Sequence, residues 1–130
     1  TPFMLLFLYH ILIIFIALVE KLADIKLKKP SSETLESMAE SSSLQFVFSH
    51  VIPSAEGHKN PKVQSEALAW METVLPQFGI ASIKSRDLVA FLKSSLESSN
   101  VAVRKGATAV FVLLRIHIGP GATIEGENAN

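Results

Sequence analysis

The sequence predicts an all-α protein built as a solenoid of antiparallel helix pairs. Three observations carry this reading: apolar residues at three- and four-residue spacing, Asn and Gly at the helix boundaries, and a self-similar period. Val63, Ala67, Trp70, Met71, Val74 and Phe78 fall on one face of a helix. Asn60 supplies an N-cap oxygen, Pro61 sits where a missing N–H costs nothing, and Gly79 provides a C-terminal stop. The pattern then recurs about 40 residues on. Asn60 falls on Asn100, Val63 on Val103, Ala67 on Ala107, Met71 on Phe111, Val74 on Leu114, Phe78 on Ile118 and Gly79 on Gly119. Phe48, Val51 and Ile52 land on Leu88, Phe91 and Leu92.

A period of that length, each unit a helix pair, is the signature of HEAT-type repeats. The elements follow in order. Phe3 to Val19 is an apolar run relieved only by Tyr9 and His10. It lies at the lower edge of the roughly 17–25 residues that a membrane-spanning helix requires. A solenoid helix buried on several sides is equally apolar, so both readings stand. No small-residue cleavage site follows, which disfavours a cleaved signal peptide. Residues 1–23 are therefore taken as one long apolar helix, the end of a repeat or a membrane-like segment.

Residues 24–119 hold the repeats. Asp24 to Ser32 reads as a basic turn, with Pro30 breaking any helix and Ser31 or Ser32 capping the next. Thr34 to Glu40 is a short helix with Leu35, Met38 and Ala39 inward, ended by the serines at 41 to 43. Leu44 to Glu56 is a helix that Pro53 should kink or shorten. After the Asn60-capped helix, Ile80 to Ser85 connects to Arg86–Glu97, whose inward side is Leu88, Val89, Phe91, Leu92 and Leu96. Asn100 to Ile118 closes the second full pair. Residues 120–130, rich in Gly, are expected to be a disordered tail. Phe111, Val112, Leu113 and Ile116 leave little polar surface on the last helix, so an exposed apolar patch is expected at the carboxyl end.

Composition excludes several function classes. The formal charge of the 130 residues is zero, so no global field favours nucleic acid. Without cysteine there is no disulfide, thiolate nucleophile or zinc finger. His10, His50, His58 and His117 are scattered and form no two-histidine helical pair. No G-x-S-x-G elbow, P-loop or dinucleotide fingerprint occurs. Glu66 and Glu72 fall on solvated helix faces with no partner placed by spacing. The expectation is a protein that is not an enzyme and holds no metal or cofactor.

The remaining signal is basic. In a HEAT array the turns within repeats share one edge. Here they carry Lys26, Lys28 and Lys29, then Lys59 and Lys62, then Arg104 and Lys105, with Asp24 the exception in sign. Lys62 is notable as a cation in a first helical turn, where the dipole favours an anion. Such an edge attracts an acidic surface.

The run HKNPKVQSEALAWM, the FG at Phe78 and Gly79, the NVAVRKGAT from Asn100 and the VEKLADIK of Val19 to Lys26 together resemble TOG domains. These are the tubulin-binding HEAT arrays of the ch-TOG and MOR1 class of microtubule polymerases. The likeness covers Ala17 to Gly119 and makes VEKLADIK the end of a third-repeat helix, with the fourth and fifth repeats following. The family's first repeat, which carries an aromatic turn residue, and its sixth have no counterpart in these residues. The resemblance implies a tubulin-binding site of Lys59, Asn60 and Lys62 in the fourth repeat, Arg104 and Lys105 in the fifth, and Lys26 and Lys28 in the third. It implies the α subunit as the side of tubulin met and a place in the cytoplasm on microtubules; with few anchors and much rim, weak binding is expected. A membrane enters only if residues 3–19 span a bilayer, which would make the chain an anchored adaptor instead.

Overall fold

The computed structural model describes residues 2–56 and 58–118, and the expected tail at 120–130 lies outside them. Among the described residues six α-helices follow one another: α1 (Pro2–Lys21), α2 (Lys28–Ser41), α3 (Leu44–Ala55), α4 (Pro61–Phe78), α5 (Ser85–Leu96) and α6 (Val101–Ile118). A 3₁₀ turn, Ile80–Ser82, links α4 to α5, and no strand occurs among the described residues. α1–α2, α3–α4 and α5–α6 form hairpins, while α3 stacks on α1 and α6 packs most extensively on α4. This is the layered arrangement of a helix-pair solenoid.

Boundary chemistry explains α4. Asn60 Oδ1 accepts the Lys62 N–H at 3.0 Å, Pro61 opens the helix, and Gly79 ends it with φ 91°, a backbone conformation that a Cβ disfavours. Asn100 does the same for α6, accepting the Val103 N–H at 3.2 Å. Ser43 caps α3 by accepting from Phe46. The expected inward residues Val63, Ala67, Trp70, Met71 and Val74 are buried, as are Val103, Ala107 and Leu114 forty positions on, while Phe78 and Phe111 are only half-buried.

Three expectations require correction. α2 begins at Lys28, not after the serines. Pro30 occupies its third position, where the N–H has no intrahelical partner in any case, so it permits the helix. Ser31 is buried and Ser32 Oγ donates to Lys29 O, so neither caps; Asp24 Oδ1 orders the turn by accepting from Lys26 and Leu27. Leu96 is exposed, lining an open groove of about 390 Å³ with Phe111, Val112 and Ile116. Glu66 is not free: it pairs with Lys28 at 2.6 Å.

α1 is long and apolar enough to cross a membrane by length and composition. Its carboxyl half nevertheless belongs to the solenoid. Phe15 and Val19 are fully buried, and Phe15 stacks on His50 of α3 with centroids 4.7 Å apart. A bilayer span over 3–19 would draw both residues out of that core. The amino half, from Phe3 to Ile14, leaves most of its large apolar side chains exposed.

Candidate functional site

Two polar ties bring the helix-pair turns onto one rim. His58 Nε2, in the α3–α4 turn, lies 3.0 Å from Glu20 Oε2 in the last turn of α1. Gln64 Nε2, in the first turns of α4, donates to Ser95 Oγ at the end of α5 at 2.9 Å. The α1–α2, α3–α4 and α5–α6 turns are thereby neighbours. Three helix amino termini, those of α2, α4 and α6, arise from them. Each carries about half a positive charge from its aligned peptides, which adds to the side-chain charge.

The seven residues expected at the site occupy this rim with unequal freedom. Lys26 lies in the first turn, Lys59 and Asn60 in the second, and Lys62 is the second residue of α4; all are exposed. Lys105 is exposed in α6. Lys28 is the first residue of α2, and its ammonium is held by Glu66, whose side chain is only 22% exposed. Arg104 is partly buried and donates from Nη1 to Ser98 O at 2.7 Å, closing the α5–α6 turn. It therefore acts at least in part as an internal brace. Lys26, Lys59, Lys62 and Lys105 are the freest cations of the set.

The rim is also less purely basic than the turn sequences suggest. Glu56 and Glu97 stand at the carboxyl ends of α3 and α5, both exposed, and Glu20 is half-exposed beside His58. Sequence reading missed Glu20, His58, Gln64 and Ser95 as the groups that bond one turn region to the next. The signal that was present was His58 two residues before the Asn60 cap. The Gln64 and Glu20 contacts span 31 and 38 positions and have no local signature.

Other chemistry is sparse. No group of three His, Asp or Glu among the described residues could hold a metal ion. His10 is bonded to Leu6 O, His50 is stacked on Phe15, and His58 is bonded to Glu20.

The family profile described as "XMAP215/Dis1/CLASP, TOG domain" matches residues 13–126. The chain is 36% identical over 110 residues to Centrosomal protein 224 of Dictyostelium discoideum, which covers 81% of the chain and 6% of that protein. It is 35% identical over 102 residues to Protein MOR1 of Arabidopsis thaliana, covering 78% of the chain and 5% of that protein. Among solved structures, Drosophila melanogaster Mini spindles TOG3 superposes with a TM-score of 0.79 at 29% identity, over 83% of the chain and 47% of that chain. The chain thus spans a small part of its curated relatives and about half of the solved domain. It belongs to the XMAP215/Dis1/CLASP family of TOG domains.

Proposed function

We propose that the chain is a tubulin-binding module and that its basic rim is the binding surface. The observation that carries this reading is the alignment of three turns, tied by His58–Glu20 and Gln64–Ser95, with Lys26, Lys59, Lys62 and Lys105 exposed along them. An acidic tubulin face supplies the complementary charge. The repeats α3–α4 and α5–α6 make up the half of the site that meets the α subunit. Within a longer protein the module contributes to microtubule growth in the cytoplasm. Binding by this unit alone is weak, because exposed lysines form a rim without a buried anchor.

The test is cosedimentation and titration with unpolymerised tubulin at low and moderate salt. Lys62→Glu combined with Lys105→Glu removes binding, and wild-type affinity falls as salt rises. Arg104 is left intact in this test because its guanidinium braces a turn. Binding that survives both substitutions sinks the reading.

A further inference from the structure

His58 is held from both sides of its ring. The Asn60 N–H donates to His58 Nδ1 at 3.0 Å, while Nε2 lies 3.0 Å from Glu20 Oε2. A ring nitrogen that accepts carries no proton, so the proton of the neutral imidazole resides on Nε2 and is donated to the carboxylate. The two contacts agree on one tautomer. The first closes a turn two residues long, the form that Asn and Asp side chains make with the backbone. It fixes the backbone at Asn60, whose own side chain accepts the Lys62 N–H. The second reaches 38 positions back to the last turn of α1, which leads into the turn bearing Lys26.

We infer that His58 is the positioning residue of the rim. Its Nδ1 shapes the turn that presents Lys59, Asn60 and Lys62, and its Nε2 sets that turn in register with the one that carries Lys26. Its side chain is 22% exposed, so the ring is more covered than Lys59 and Lys62 beside it and acts through its two bonds. The target of this role, tubulin, rests on the reading above; the mechanism rests on the two hydrogen bonds.

Two substitutions separate the halves of the role. Asn at position 58 places an acceptor near where Nδ1 lies, and Gln reaches toward where Nε2 lies. His58→Ala lowers tubulin affinity roughly three- to tenfold, the scale of one or two net hydrogen bonds. His58→Asn recovers more of it than His58→Gln, because the turn nearest Lys62 is rebuilt. Circular dichroism confirms that each variant is folded. Long-range proton–nitrogen NMR of the wild-type chain shows the proton on Nε2, and His58→Ala shifts the amide signals of both Lys26 and Lys62. Unchanged affinity in His58→Ala, or His58→Asn no better than His58→Ala, overturns the inference. So does a proton on Nδ1, whatever tubulin does. Wild-type chain that fails to bind tubulin defeats the functional reading instead, and the NMR signals then decide the positioning role alone.

Discussion

Gln64 and Ser95 meet in the interior, the Gln64 amide donating to Ser95 Oγ at 2.9 Å while Ser95 Oγ donates onward to Phe91 O at 2.9 Å. Gln64 is 8% exposed and Ser95 is fully buried, so neither has water as a ready substitute partner. The pair fastens α4 to α5 just beneath the rim.

Removing one partner is expected to cost more than removing both. Ser95→Ala strands a buried amide and destabilises the fold by about 1–3 kcal/mol. Combining it with Gln64→Leu replaces two polar groups by apolar ones of similar size, which is closer to neutral. Urea unfolding of the single and double variants checks this: the double variant has the higher midpoint of the two.

α6 approaches α4 closely at Gly106. A Cβ there would lie 3.0 Å from Leu68 Cβ and 3.3 Å from Leu68 Cδ1. Leu68 Cβ moves only with the α4 backbone, so the two helices must part by a few tenths of an ångström. Overpacking of this kind costs about 1–3 kcal/mol, against about 1 kcal/mol gained in helix propensity. Gly106→Ala is therefore net destabilising by about 1 kcal/mol. Leu68→Ala, which alone opens a cavity at a fully buried site, removes the Cδ1 contact but keeps Cβ, so in urea unfolding the double loss falls only slightly below the sum of the two.

Much of the fold was legible wherever boundary chemistry and apolar spacing agreed. Asn60, Pro61 and Gly79 delimit α4 as expected, and the forty-residue echo placed α6. The candidate site was legible only as a set of turns. Pro30 reads as a breaker unless the helix is known to begin two residues earlier. The Lys28–Glu66 pair joins residues far apart in sequence, with no spacing to announce it. Glu56 and Glu97 were read as helix residues, although the helix ends bring them to the rim. The amino half of α1 offers only an apolar run, which says nothing about which of its sides is covered.

The Lys28–Glu66 pair also ranks the rim cations. With the ammonium 2.6 Å from a carboxylate, the net charge that Lys28 offers a partner is small. Lys28→Ala is expected to change tubulin affinity less than Lys62→Ala does. Its effect on stability stays below about 1 kcal/mol, because the Lys28 side chain is 53% exposed and solvent screens the pair. Parallel titration of the two variants against tubulin tests the order; an equal or larger loss for Lys28→Ala refutes it.

At Lys62 the proposed binding role and folding pull in opposite directions. It is the second residue of α4, whose first turn contains no acid, and its charge opposes the helix dipole. Replacing the cation by an anion reverses that term but sets a second carboxylate four residues before Glu66, so Lys62→Glu is expected to stabilise the isolated chain by no more than about 0.5 kcal/mol while weakening tubulin binding. Lys105 provides the control. It is the fifth residue of α6, beyond the first turn where the dipole acts. Lys105→Glu therefore leaves stability nearly unchanged and still weakens binding. Urea unfolding and tubulin titration on the same two variants separate the contributions. A Lys62→Glu chain less stable than wild type would show that the lysine earns its place through folding, and not through a partner's charge.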